Sequence, residues 1–319
     1  MDYFYSLTDT HGYVHSIDNC VITYYVQDIG LKAIERLITE FHVLRDKYPE
    51  VKYWEKLNIN ACRKYSFYQN AIHLDDGIYV LLGHYTDYDK VNGEMYVYPM
   101  IRLEINPNKH ARKPIFKDFM DIVNKTCYDG VFNRYDYAID VPAPLEDVQV
   151  FGSNKERGLY KGTRYFGQRN KNGFCRIYDK SKEQGLDTPL TRIEHVISLT
   201  KTTKSISFEK IHVKSGGAVV QEKLGKTDAV IVDLCTLCAA NGLEYESILD
   251  KLDRRKKKSI VSQLSESGYE LLEFDEKVHN ELLDYYKKFF RVKEEKELFV
   301  TDENGFIELS EDSSELPFD

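Results

Sequence analysis

Short β-prone runs punctuated by turn residues, with amphipathic helical stretches between them, constrain this chain more than any other feature. CVITYYV, SFYQNAIHL, GIYVLLGHY, GEMYVYPM and MIRLEIN are rich in Tyr, Val and Ile and separated by Gly, Asp and Asn, the composition of strands that turn back on themselves. Between the first two runs, Leu31, Ile34, Leu37, Ile38, Phe41 and Leu44 recur at helical spacing and predict one buried face. A second helix is predicted from about Pro114, a residue welcome in a first turn, with Ile115, Phe119, Ile122 and Val123 inward. Strands then resume as FNRYDYAIDV, KGTRYFGQ, FCRIYDK and LTRIEHVISL. The expected fold class is α+β, antiparallel sheets with packed helices.

Arg102-Leu103-Glu104 echoes Arg192-Ile193-Glu194, which reads as a duplicated unit: a core over 1–215 with halves 1–126 and 127–215. After Ser215 the pattern turns helical, through TDAVIVDLCTLCAANG, about 245–264 and about 275–290. The region 216–298 is therefore read as a helical C-terminal region and 299–319 as an acidic, disordered tail.

With 42% hydrophobic and 30% charged residues the chain is expected to be globular rather than disordered. No apolar run approaches the ~18 residues that cross a bilayer, and MDYFYSLTDTHG lacks the order of a secretory signal. A cytoplasmic protein with no membrane partner is expected. The six cysteines are spread thinly, as reduced thiols are. Cys235 and Cys238 form a CxxC pair with no second pair at zinc-finger spacing, so a packed helix is read there rather than a metal site.

The net charge of −8 is concentrated at one end: 302–319 holds seven acidic residues and no Lys or Arg. Between Phe151 and Lys180, eight basic residues face two acidic ones, a field suited to a phosphate backbone. Arg164, Arg169 and Lys171 are its candidate DNA contacts. A second basic knot, Arg254, Arg255, Lys256, Lys257 and Lys258, lies where two predicted helices meet. A solvated surface is the plain alternative for either cluster.

In FNRYDYAID, period-two alternation places Arg134, Asp136, Ala138 and Asp140 on one side of a strand. Buried carboxylates there require a cation or an Arg partner. FCRIYDK brings Arg176, Tyr178 and Lys180 to one side, and LTRIEHV does the same for Arg192 and Glu194. Together they supply carboxylates for Mg²⁺ or Mn²⁺, cations for phosphate oxygens and a phenol able to attack phosphorus, the parts of a tyrosine-dependent DNA nickase. A neighbouring cation or metal-bound base is expected to favour the phenolate. FGQRNKNG lacks the GxxxxGK[ST] spacing of a nucleotide loop and reads as a basic turn.

The run TRYFGQRNKNGFCRIYDKSKE, preceded by RYDYAID and followed by TPLTRIEHVI, resembles the signature of plasmid rolling-circle replication initiators of the trans-acting class, a family related to relaxase-like proteins of conjugative elements. The likeness is densest from Asn133 to Ser198, with a fainter echo at MIRLEINPNK. It implies a rolling-circle nickase fold, with Tyr178 as nicking tyrosine, Arg176 and Lys180 as basic residues beside it, and Asp140, Glu194 and Asp136 as acidic positions for Mg²⁺ or Mn²⁺. His195 alternates away from Glu194 and no His-hydrophobic-His pair is present. The implied reaction leaves a 5′-phosphotyrosine and a 3′-OH primer at a single-stranded origin segment, with duplex origin DNA and a second copy of the chain as partners. EDSSELPFD resembles the partner-binding tail of bacterial single-stranded DNA-binding proteins, with Asp319 added after Phe318, which points to helicase or polymerase machinery. The alternatives are a relaxase acting at a transfer origin and a non-catalytic sequence-specific DNA-binding regulator.

Overall fold

The computed structural model describes residues 3–56, 68–89, 93–150, 156–160, 162–169, 173–199, 211–215, 225–240, 243, 245–264, 268–272, 274–293, 299–301 and 307–309. It is an α+β fold of antiparallel strands and flanking helices, divided into two units: Met1–Ile139, Val196–Ile206 and Glu276–Asp319 in the first, Asp140–His195 and Ser207–Asp275 in the second. The chain passes between them inside two strands.

The first unit begins with strands β1 (Ser6–Thr8) and β2 (Val14–Tyr25), helix α1 (Leu31–Lys47), then β3 (Tyr53–Lys56), β4 (Tyr68–Leu74), β5 (Ile78–Asp89) and β6 (Glu94–Ile105). Helices α2 (Pro107–His110) and α3 (Pro114–Thr126) lead to β7 (Gly130–Val141). The strands lie in the order β3-β4-β5-β6-β2-β7, with β1 paired to β2. GEMYVYPM and MIRLEIN, expected as separate runs, fuse into the single strand β6. Pro99 sits within it opposite His84; it has no N–H to give, but its carbonyl accepts from the Val26 amide at 3.0 Å.

Helix α1 buries Ala33, Ile34, Leu37, Phe41 and Leu44. Leu31, expected inward, is exposed because it lies about 100° round the helix from the middle of that stripe. Helix α3 buries Ile115, Phe116, Phe119, Met120 and Val123, leaving Ile122 half-buried. The Phe41 and Phe119 rings stack at 5.6 Å and join the two helices; burying each ring contributes roughly 1.5–3 kcal/mol.

The second unit contains β8 (Val148–Val150), β9 (Glu156–Tyr160), β10 (Thr163–Phe166), β11 (Phe174–Asp179), helix α4 (Lys180–Gln184) and β12 (Thr191–Ser198). These are followed by β13 (Ile211–Ser215), α5 (Lys226–Ala240), α6 (Glu246–Leu249), α7 (Arg254–Leu264) and β14 (Gly268–Leu272). The order β12-β11-β10-β9 forms one set of strands, and β14-β13-β8 a separate antiparallel sheet. Val232, Cys235, Leu249 and Ile260 form the core of the α5–α7 layer, so the CxxC segment is packed as expected. The helix predicted over 245–264 is broken. Asp253 stands between α6 and α7, and its Oδ1 accepts from the Arg255 and Lys256 amides at 3.0 Å each, a capping geometry that starts a new helix.

The chain returns to the first unit through α8 (Glu276–Phe290) and β15 (Val292–Lys293), the latter parallel to β7. Each fully buried tyrosine around α8 has a partner for its hydroxyl, as burial demands. Tyr24 Oη donates to the Phe290 carbonyl at 2.8 Å, Tyr286 Oη to that of Tyr5 at 3.3 Å, and Tyr135 Oη meets His279 Nε2 at 2.9 Å. Tyr137 Oη lies 2.6 Å from His15 Nδ1, whose other nitrogen is 3.0 Å from Asp9. Strands β16 (Phe299–Thr301) and β17 (Ile307–Leu309) pair antiparallel; EDSSELPFD and Cys62 lie outside the described residues. Cys20, Cys127, Cys175, Cys235 and Cys238 are reduced, in no disulfide. Among the described residues no helix is long and apolar enough to cross a membrane.

Candidate functional site

The second unit brings together the end of β7, strand β11, the start of α4 and strand β12. Strand β12 is buried over nearly its whole length, so each of its polar side chains requires a partner. Arg192 Nε and a terminal guanidinium nitrogen bond the two oxygens of Asp140, each at 2.6 Å. Two residues along, on the same side of the strand, Glu194 accepts from the Tyr178 hydroxyl at 2.6 Å through Oε1. Its Oε2 is paired with Arg176. Thus Tyr178, Arg176 and Glu194, read from separate sequence runs, do meet.

Lys180 departs from the expected strand register. It is the first residue of α4, whose N-cap is Asp179, with Oδ1 accepting from the Lys182 amide at 2.8 Å. Its ammonium nevertheless reaches back over the Tyr178 ring, 5.5 Å from the centroid and 3.5 Å from the hydroxyl. Glu183 holds that ammonium at 2.6 Å.

The electrostatics oppose spontaneous ionisation of Tyr178. Burial, then the charge of Glu194, then the hydrogen bond to it push the phenol well above its ordinary range, and Arg192 offsets only part of this. The expected phenolate is therefore not the resting form. The phenol is instead poised on a carboxylate that can receive its proton.

The carboxylates expected to hold Mg²⁺ or Mn²⁺ do not form a site that fits the ion. Asp140 is taken by Arg192 and Glu194 by Arg176. Asp136 belongs to the first unit, where Arg134 engages it at 2.9 Å. Among the described residues no three His, Cys, Asp or Glu side chains converge at metal-holding distance. His195 is buried, and burial alone pushes its imidazole down to about 4, which keeps it neutral.

Of the candidate DNA contacts, Arg164 donates to the Val148 carbonyl at 3.0 Å and lies over the Phe166 ring at 5.4 Å. Arg169 is exposed, and Lys171 lies outside the described residues. The 254–258 knot forms the first turns of α7. Lys256 lies 3.7 Å from Asp228 and Lys257 2.5 Å from Asp250, while Arg254, Arg255 and Lys258 are exposed. Sequence reasoning counted Arg192 among the cations for phosphate oxygens rather than as the partner of Asp140, and assigned no role to Glu183. For Arg192 a signal existed: a buried Asp140 demanded a cation, and Arg192 shares a face with Glu194.

No family model matches the chain. It is similar to proteins described as replication initiation proteins of Staphylococcus aureus. One is 33% identical over 107 residues, covering 31% of this chain and 34% of the relative. Another is 26% identical over 232 residues, covering 65% of this chain and 71% of the relative. The chain thus spans about a third of the length of the first relative. Among solved structures, a rolling circle replication initiator protein from Geobacillus stearothermophilus aligns over 80% of this chain and 96% of its own, at 14% identity and a TM-score of 0.33.

Proposed function

We propose that this chain is a rolling-circle replication initiator that nicks and rejoins one DNA strand through Tyr178. The observation that carries the reading is the 2.6 Å bond from the Tyr178 hydroxyl to Glu194, ringed by Arg176 and Lys180. A phenol this reluctant to ionise is activated by passing its proton directly to Glu194 as it attacks. The bond from Oη to phosphorus forms while the bond from phosphorus to the 3′-oxygen breaks. That oxygen leaves with the electron pair and takes a proton from water, giving a 5′-phosphotyrosine and a 3′-OH. Reversal by a 3′-OH reseals the strand without ATP.

Arg176 and Lys180 are placed to take up charge on the phosphate oxygens, a role for which pre-set cations are effective. They would have to exchange Glu194 and Glu183 for phosphate. Because the carboxylates do not fit a divalent ion as they stand, no step here is routed through one. Duplex origin DNA is assigned to the exposed face of Arg254, Arg255 and Lys258, and similarity to replication initiation proteins supports DNA as the partner. The test is incubation of end-labelled single-stranded origin oligonucleotide with wild-type protein and with Tyr178→Phe. Wild type should form a covalent adduct and the variant none; an adduct retained by Tyr178→Phe rejects the reading.

A further inference from the structure

Far along the chain from Tyr178, the first unit carries three aromatic side chains in lateral register. Trp54 of β3 lies opposite His73 of β4, and His73 lies opposite Tyr79 of β5. The His73 ring stands edge-on to both neighbours, with centroids 4.8 Å from Trp54 and 4.2 Å from Tyr79. On the other side of the same strands Ile72, Leu74, Ile78 and Val80 are buried, so alternation puts the aromatic row on the outside. Trp54 is 49% exposed and Tyr79 42%, although burying such rings would be favourable.

The row borders an open cleft of about 400 Å³ lined by Lys52, Tyr53, Trp54, His73, Asp75, Gly77 and Tyr79. Its charge is suited to an anion. Lys52, Trp54 and Lys56 alternate along one exposed edge, so cations flank the indole. The acid of the cleft, Asp75, is already engaged by Lys113 and by His110 at 3.3 Å. Glu104, opposite Tyr79, is paired with Arg102 at 3.0 Å. Burial holds the His73 imidazole below its ordinary range, leaving an uncharged spacer between the two larger rings.

We infer that the outer face of β3, β4 and β5 binds unpaired single-stranded DNA, its bases stacking on Trp54 and Tyr79 and its phosphates meeting Lys52 and Lys56. Stacking on exposed rings beside cations holds single strands without reading their sequence, because every base offers a π-face. A duplex keeps its bases stacked inside and cannot use the rings. The inference goes beyond the nicking reaction and needs neither Tyr178 nor Glu194. Its role would be to hold a strand unpaired.

Trp54 is the only tryptophan, so its fluorescence reports this face alone. The full chain is titrated with oligothymidylate and with a duplex of equal length, and binding is followed in parallel by anisotropy of dye-labelled DNA. Single strands should quench the indole to a plateau, the duplex should leave it bright, and Tyr178→Phe should quench like wild type. Stacking is worth about 1–3 kcal/mol per base, so Tyr79→Ala and Trp54→Ala should each weaken oligothymidylate binding by about 5- to 150-fold, with Trp54→Phe retaining most of it. Trp54→Phe and wild-type quenching decide the matter even if Trp54→Ala fails to fold. An indole left bright at DNA saturation, or equal quenching by duplex, overturns the inference; the first result would leave this face to a protein partner. Loss of nicking with quenching intact bears on Tyr178 only.

Discussion

Arg192 grips Asp140 through two hydrogen bonds of 2.6 Å, where neither side chain is more than 3% exposed. Such a pair spends much of its attraction on desolvation, so its net contribution is small, but removing one partner leaves the other charge buried. Asp140→Ala should therefore lose about 3–5 kcal/mol of unfolding free energy in urea, whereas Asp140→Leu combined with Arg192→Met should recover most of that loss. A single variant as stable as wild type would mean water reaches the pair.

Glu194→Gln separates proton acceptance from positioning. The amide can still accept a hydrogen bond from Tyr178, but it cannot take the proton as a carboxylate does. Single-turnover nicking should fall by about 10²–10⁴, the usual worth of general-base help. Circular dichroism should show the fold retained, and an unchanged rate would remove Glu194 from proton transfer.

For the start of α7, replacing Arg254, Arg255 and Lys258 together by Ala should weaken binding to duplex origin DNA. Each lost phosphate contact should flatten the slope of log affinity against log salt by about 0.9. Filter binding at several salt concentrations measures this, and an unaltered slope would assign the face to solvent.

His279 gives a pH prediction. Burial, the leading cause, holds its imidazole below the ordinary value in the folded chain. Below about pH 6.5 the unfolded chain therefore binds a proton that the folded chain resists. Stability is present in full above that pH and is lost as pH falls through it. His73, His110 and His195 act with the same sign. Denaturant titrations from pH 7.5 to 5 should show unfolding free energy decreasing, with a shallower decrease in His279→Gln.

Much of this was legible because strand faces follow a period of two. That rule alone aligned Arg192 with Glu194 and Arg176 with Tyr178, and helical spacing placed Leu37, Phe41 and Phe119 inward. What escaped depends on distance along the chain or on local competition. Nothing near Asp140 names Arg192, 52 residues away, as its partner. Lys180 reads as a strand residue until Asp179 caps a helix there. Asp253 interrupts what hydrophobic spacing presents as one helix, because its side chain bonds amides that a continuous helix would need. The ion pairs of the acidic residues escaped for a related reason: residue type told of carboxylates, while their partners, Arg192 for Asp140 and Arg176 for Glu194, are decided by packing.

Cys235 sits at the centre of the α5–α7 layer with no exposed surface, while Cys238, one turn later, is partly accessible. A thiol reagent should modify Cys238 from the folded chain and reach Cys235 only when these helices part. The interval between the two reactions times how often the second unit breathes, a clock already written into the chain.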